Sequence, residues 1–497
     1  MATSSERIYL AKVYWGMSSS MKSKTVNGFK WGLIDNFANS GVTFIVGLFL
    51  ARLLSPEEFG VLGIITVFIN ISVTIIDGGL ATALIRKKEV HEVEYNTVFY
   101  SNLVVSLLLL GILCAGSNFI AVFFHQPVLG PTLSVMSIVL LINALSLVHK
   151  TILIKKIDFK SQAIFSLVSS LLSGIVGISM AYNGMGIWSL VGQQLSRQLL
   201  LTISFWIVGK WVPKMMFSVA CFKDLYNFGL KLLAANLINT LFKDAFLVVI
   251  GKIYSTKDLG YYKQAEQFNA ILSNNFSQIV RKVTLPALSQ IQDEKERLKV
   301  TYRRLFVSVA IVSFAAVFVF AAISKPLLLL LIGEKWLPSV KLLQIMSLYA
   351  AIYPLNILNL NVLNLCKRSD YLLKLEVIKK ILFVPVIVVG FFTNMEIMLW
   401  AAVIYYYVEF FINGWYTKKL ISYGLFEQVR DVFPIYFVSL SVALLASLLT
   451  ALPIANWVML LLQVSVALVL LVLVYRSIRQ TEYMEIEKFC ISKVRRR

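Results

Sequence analysis

The sequence predicts an all-α, polytopic membrane protein with about fourteen transmembrane helices, arranged as two parallel-repeat six-helix lobes plus two C-terminal helices. Three observations carry this expectation. The chain is 58% hydrophobic and only 15% charged over 497 residues, with a mean hydropathy of +0.77, outside the range of a soluble globular protein. Its apolar residues fall into runs of about 20, the length that crosses a bilayer as a helix. One stretch also recurs: Asn27, Leu33, Asn36, Asn39, Ser55, Gly60 and Phe68 meet Asn227, Leu233, Asn236, Asn239, Ser255, Gly260 and Phe268 at a constant offset. That offset covers six spans, an even number, so both copies point the same way through the membrane.

Taken in order, residues 1–28 form a basic cytoplasmic segment with no signal-peptide core, and Met17 or Met21 gives a tidier start than Met1. Spans near 29–51, 58–85, 95–117, 130–149, 161–182 and 186–208 make an N-lobe over 29–208. Spans near 225–251, 260–285, 304–324, 340–365, 372–392 and 395–417 make a C-lobe over 225–417. Two further spans occupy 433–475, and residues 476–497 form a basic cytoplasmic tail. The polar turns Ser55 to Glu58 and Ser255 to Asp258 end the first helix of each lobe, and a Gly opens the next run. Gly41, Gly47, Gly78, Gly79, Pro286, Pro354 and Pro385 stand where a helix can bend. The charged connection Ser289 to Arg303 reads as a solvated helix between the eighth and ninth spans.

Charge tests the span count independently. Lys and Arg crowd alternate connections, at Arg86 to Lys88, Lys150 to Lys160, Lys210 to Lys223, Arg281 to Arg304, Lys367 to Lys374, Lys418 to Arg430 and the final Arg495 to Arg497. The intervening connections hold few, which places both termini in the cytoplasm. The net charge of +21 follows from that topology, so nucleic acid is rejected as a partner. Four scattered cysteines and three histidines suggest neither a disulfide framework nor a metal site, and no cofactor is expected. No Walker loop, HExxH or GxSxG is present, so the chain shows no enzymatic chemistry.

Polar residues inside the spans mark the candidate site. Asn36, Asn39, Ser40 and Thr43 lie on the first helix and Asn236, Asn239 and Thr240 on the seventh, largely at i, i+3, i+4 spacing. Asn70 and Thr74 with Thr66, and Asn269 with Ser273 and Ser277, make similar stripes on the second and eighth. Such stripes line a hydrated cavity or hydrogen-bond between helices. Ionisable groups within hydrocarbon are costly and mark sites or pairs. Arg197 and Lys243, mid-span, are the best anion ligands; Lys379 and Lys380 are further ones, with Glu376 and Glu409 as possible ion-pair partners. Asp35, Asp77 and Glu266 are candidates for ion coupling.

The segments ARLLSPEEFGVLG, DGGLATALIRKKE and KIYSTKDLGYYKQA, with the span count and the repeat, resemble the bacterial polysaccharide flippases. These are also called O-antigen export proteins and lie within the multidrug/oligosaccharidyl-lipid/polysaccharide exporter superfamily. The resemblance implies alternating access in the bacterial inner membrane and a polyprenyl-diphosphate-linked oligosaccharide as cargo. It also implies membrane lipids as surroundings and glycosyltransferases and polymerases of the same pathway as partners. Fixed cations suit a diphosphate, and amides and hydroxyls suit sugars. The alternatives are a drug or metabolite exporter of the same superfamily, or an integral membrane polymerase or glycosyltransferase. The latter requires a large extramembrane loop that the sequence does not contain.

Overall fold

The computed structural model describes residues 31, 38–365 and 369–477. Among these every regular element is a helix. In chain order they are α1 (Ala38–Leu53), α2 (Pro56–Asp77), α3 (Leu80–Arg86), α4 (Glu92–Phe123), α5 (Leu129–Met136), α6 (Ile138–Lys155), α7 (Phe159–Tyr182), α8 (Ile187–Gly209) and α9 (Val219–Ile253). There follow α10 (Thr256–Ser289), α11 (Lys295–Ala322), α12 (Ser324–Leu331), α13 (Leu337–Leu365), α14 (Ser369–Phe392), α15 (Met395–Ile421), α16 (Leu425–Leu448) and α17 (Asn456–Ser477).

Ten helical stretches among the described residues are long and apolar enough to cross a membrane. The protein is therefore a multi-pass membrane protein. The other four expected spans fall on α1, α8, α10 and α14. The helix α1 is described for only part of the expected span, and α8, α10 and α14 carry polar side chains such as Gln193, Gln194, Lys263, Glu266 and Lys379 that lower their hydropathy.

The duplicated turn has the same local cause in both copies. Ser55 accepts a hydrogen bond from the Glu58 backbone N–H at 3.4 Å, and Glu58 takes the Ser55 N–H at 2.6 Å, closing a capping box with Pro56 in the first turn. Two hundred residues on, Ser255 accepts from the Asp258 N–H at 3.0 Å and starts α10. The α2 helix stops where Gly78 and Gly79 both take left-handed backbone, at φ of +52° and +72°, a conformation that costs glycine least.

The chain separates into two compact units, Met1–Val248 and Val249–Arg497. The sequence places the start of the second lobe at 225, whereas the unit boundary falls inside α9. Most of α9 is bound to the first unit by backbone proximity: a Cβ on Gly229 would lie 2.5 Å from the Gly78 carbonyl oxygen, and one on Gly79 only 2.8 Å from that of Gly229. The segment joining α8 to α9 is fixed too. The backbone N–H of Lys214 donates to Asn96 at 2.6 Å and that of Ser218 to Thr97 at 3.1 Å. His149 meets the Trp211 carbonyl at 3.0 Å and stacks on Trp206.

In the second unit a core of Tyr302, Phe306, Phe314, Leu355, Tyr423, Ala467 and Tyr475 draws on α11, α13 and α17. In lipid such packing, together with polar bonds, holds helices together in place of the hydrophobic effect. Asn359 of α13 is the polar centre. Its side-chain oxygen accepts from Tyr302 at 2.8 Å, Thr417 at 3.0 Å and Gln428 at 3.1 Å, while its amide donates to Gln428 at 3.1 Å. The Asn359→Ala variant leaves these buried groups without their partner, which costs roughly 1–3 kcal/mol for each unsatisfied group. A marked drop in the melting temperature of the detergent-solubilised protein is expected, and an unchanged melt would show that the network contributes little.

The connection expected as a solvated helix is resolved otherwise. The α10 helix ends at Ser289 and Lys295 already begins α11, so residues 295–303 are the first turns of a spanning helix. Two of their charges meet α16: Arg303 forms a two-pronged pair with Asp431 at 2.6 and 2.8 Å, and Lys299 meets Glu427 at 3.0 Å.

Candidate functional site

A cavity of about 720 Å³, lined by both polar and apolar side chains, lies within the first unit, inside the range of roughly 300–1,000 Å³ that holds small-molecule ligands. Two of its walls are stripes visible in the sequence. Thr74 and Asp77 line it from α2, and Asn236, Asn239 and Thr240 from α9. The two helices are joined beside it, where the hydroxyls of Thr74 and Thr240 meet at 3.2 Å and the Asn70 amide donates to Asp244 at 2.9 Å. The other walls come from residues that sequence reasoning missed as site residues. Asn143, Ser146 and Lys150 recur at helical spacing on α6, Gln162 and Ser166 stand on α7, and Gln198 on α8. The signal for Gln198 was present, since Gln193, Gln194, Arg197 and Gln198 crowd one apolar run.

Charge in this cavity is balanced. Asp77 takes a backbone hydrogen bond from Ala81 and lies within electrostatic reach of Lys150. The remaining polar lining consists of amides and hydroxyls, which both donate and accept. Chemically this offers recognition of a hydroxyl-rich ligand with no paired nucleophile and base among the lining residues. Beyond the wall, Lys243 lies on α9 one turn past Asn239 and Thr240 with its side chain exposed. Outside the cavity lining, Lys87 ties three elements. Its carbonyl accepts from Lys155 at 2.6 Å, and its ammonium pairs with Glu94 and lies 3.5 Å from Asp224. The hydrogen bond with Glu94 holds that ammonium above the usual lysine range.

Other expected residues fall elsewhere. Asp35 and Asn36 lie outside the described residues. Arg197 donates to Asn39 at 3.3 Å, and the Ser170 hydroxyl donates to the same Asn39 oxygen, so these three join α1, α7 and α8. Ser40 is exposed and Thr43 half-buried on α1. In the second unit Asn269 is placed between helices: its amide donates to the Leu343 carbonyl at 3.1 Å and its oxygen accepts from Ser347 at 3.1 Å. Glu266 pairs with Lys263 at 2.7 Å. Lys379 is buried against Glu409 at 2.9 Å with Glu376 at 3.7 Å, and Lys380 is half-buried beside them. No group of His, Cys, Asp and Glu suited to a metal occurs among the described residues.

Comparison with known proteins bears on the same regions. A family model described as "Polysaccharide biosynthesis protein" matches residues 49–341, which include every wall of the cavity. The lipopolysaccharide biosynthesis protein WzxC of Escherichia coli (strain K12) is 25% identical over 375 residues, 75% of this chain and 76% of that protein. The teichuronic acid biosynthesis protein TuaB of Bacillus subtilis (strain 168) is 23% identical over 434 residues, 86% of this chain and 89% of that one. Among solved structures, the lipid II flippase MurJ in an inward closed conformation aligns with a TM-score of 0.71 at 14% identity, covering 91% of this chain and all of that chain. At that identity the likeness shows a shared fold.

Proposed function

This chain belongs to the polysaccharide biosynthesis protein family, and from that premise we propose that it is a flippase carrying a polyprenyl-diphosphate-linked oligosaccharide across the bacterial cytoplasmic membrane. It acts as a transporter and not as an enzyme. Fourteen spans cross the bilayer with both termini in the cytoplasm, and the cargo supplies cell-surface polysaccharide such as O-antigen, capsule or exopolysaccharide. The observation that carries the reading is the cavity walled by Asn143, Gln198, Asn236 and Asn239. Its uncharged donors and acceptors suit the hydroxyls of sugars, and the single Asp and single Lys leave no excess charge to repel a neutral glycan.

In this reading the sugars occupy the cavity, the prenyl tail stays in the bilayer, and Lys243, on the same helix face as Asn239, takes a diphosphate oxygen. Arg197 serves as a positioning group through Asn39. Alternating access follows from opening the cavity to one side of the membrane at a time. The glycosyltransferases and the polymerase of the pathway stand on either side of this step.

Export is tested in a strain lacking its own flippase for a defined surface glycan. Expression of this chain is expected to restore surface glycan, measured by glycan-specific labelling of intact cells, while lipid-linked precursor inside the cell falls. Protein that inserts at normal levels, yet restores no glycan from any of a panel of pathways, contradicts the assignment. Topology is read in the same cells: a cysteine at Asn183 or Asn456 is expected to react with an impermeant maleimide, and one at Lys156 or Lys418 only after permeabilisation. Labelling of Lys156 from outside overturns the fourteen-span arrangement.

A further inference from the structure

We propose that the connection between α8 and α9, residues 210–218, is seated in the lipid leaflet. Its Met215 and Phe217 side chains stand among acyl chains, and the ammonium groups of Lys210 and Lys223 meet anionic phospholipid headgroups. The proposal needs only the multi-pass character of the chain and is independent of what the chain carries.

The connection crosses α4 on its lipid-facing side. The backbone N–H groups of Lys214 and Ser218 pin it to the side chains of Asn96 and Thr97 on that spanning helix, at 2.6 and 3.1 Å. Leu107 and Leu108 lie eleven residues further on, about three helical turns, so the four residues share a face. The two leucines are 50% and 62% exposed and open an apolar stripe that continues through Ile112 to Phe119, the surface that a spanning helix turns to lipid. Asn96 and Thr97 on the same face are nonetheless fully buried, because the connection covers them.

Charge and aromatic side chains set the depth. On α4 the charged residues are Glu92 and Glu94, and none follows from Tyr95 to Phe123, so Asn96 and Thr97 stand within one turn of the last charge, at the edge of the hydrocarbon. Tyr95 meets Trp211 there with ring centroids 6.3 Å apart, and His149 packs on both Trp211 and Trp206. Trp and Tyr collect at the boundary between membrane and water.

Outward, the connection shows apolar side chains. Met215 is 97% exposed, Val212 68% and Phe217 54%, on a segment whose backbone is held at Trp211, Lys214 and Ser218. An exposed apolar patch on a fixed backbone marks an interaction surface, and at this depth and on this side of α4 the leaflet itself is what it meets. Lys210 and Lys223 flank the patch, both exposed, and among the described residues neither forms an ion pair. The nearby carboxylates are already engaged, Glu92 by Lys214 at 2.5 Å and Asp224 by Lys87 at 3.5 Å, which reduces their repulsion of an anionic headgroup. Apolar tips beside available lysines suit a segment that lies in the interface and favours anionic lipid.

The test uses the full chain in nanodiscs of phosphatidylcholine and phosphatidylglycerol in equal parts, with the four native cysteines replaced by alanine and a nitroxide on one introduced cysteine. Collision with oxygen, which concentrates among acyl chains, is compared with collision with a water-soluble nickel chelate. Met215→Cys and Phe217→Cys are expected to favour oxygen as Leu108→Cys does, and Glu89→Cys to favour nickel. A nickel-dominated signal at 215 and 217 overturns the proposal and leaves the patch in water, open to a protein partner. Should the cysteine-free chain fail to fold, a photoactivatable benzophenone amino acid at 215 of the otherwise native chain asks the same question: a phospholipid adduct is expected, and its absence counts against the seat. Headgroup preference is read by native mass spectrometry of the lipid that stays with the protein. The wild type should retain phosphatidylglycerol over phosphatidylcholine, and Lys210→Gln combined with Lys223→Gln should reduce that preference by about fivefold for each lysine. Equal retention of the two lipids by the wild type, or a preference that the double variant keeps while melting as wild type, also overturns the proposal.

Discussion

Gly229→Val is expected to abolish export and to lower the melting temperature of the protein more than any single change in the cavity wall. At this crossing two backbones touch: a Cβ at 229 would lie 2.5 Å from the Gly78 carbonyl oxygen and 3.6 Å from the Gly79 carbonyl carbon. Neither neighbour is the flexible end of a side chain, so relief requires moving α2 or α9 as a whole. Overpacking of this kind costs typically about 1–3 kcal/mol, and more when backbone has to shift. Gly78 and Gly79 cannot yield easily, because both already sit at positive φ. Separating α2 from α9 also parts Thr74 from Thr240 and Asn70 from Asp244, so two cavity walls move together. Gly111→Val, where a new Cβ meets nothing within 4 Å, is the control and should melt and export as wild type. If Gly229→Val matches that control, the close crossing is not what positions the walls.

Lys243→Ala is expected to reduce export by about tenfold to a hundredfold, the effect of losing a charge-assisted hydrogen bond worth roughly 1.5–3 kcal/mol. The lysine is exposed on α9 one turn from Asn239 and Thr240, and its removal disturbs little packing. Lys243→Arg retains the charge and should retain part of the activity. Membrane insertion and melting are measured alongside, so that a folding defect is not read as lost binding. Normal export by Lys243→Ala at wild-type protein levels removes the lysine from the diphosphate site and moves attention to Lys150, which lines the cavity from α6.

The helices were legible because hydrophobic runs and basic connections are governed by the bilayer, which acts on composition alone. The site was legible only where one helix repeats a polar residue every three or four positions. That rule found Thr74, Asp77, Asn236, Asn239 and Thr240, which line one cavity. It selected Asn269 equally, and there both ends of the amide are bonded to α13. Spacing shows which residues share a face and is silent about whether water or another helix covers it. Asn143 and Ser146 on α6 and Gln162 and Ser166 on α7 escaped for the converse reason. Single polar residues, and serines in particular, pack between helices as often as they line cavities, as Ser169, Ser170 and Ser173 do one or two turns further along α7, where all three are buried. Nor does sequence show that the boundary between units falls within α9, since the glycines that bring α2 and α9 together are far apart along the chain.

The bonds around Asn359 also bear on how this protein should be handled at the bench. Gln428 and Asp431, both on α16, complete the amide centre and the Arg303 pair respectively. A fusion that cuts the chain at residue 424 to attach a reporter enzyme leaves Asn359 without Gln428, and Arg303 and Lys299 without their carboxylates, inside a bundle already made. Such a truncated hybrid would report the orientation of a misassembled second unit. Reporters inserted into loops of the intact chain, or single cysteines, keep α16 and α17 in place and give a map of the molecule that carries out the work.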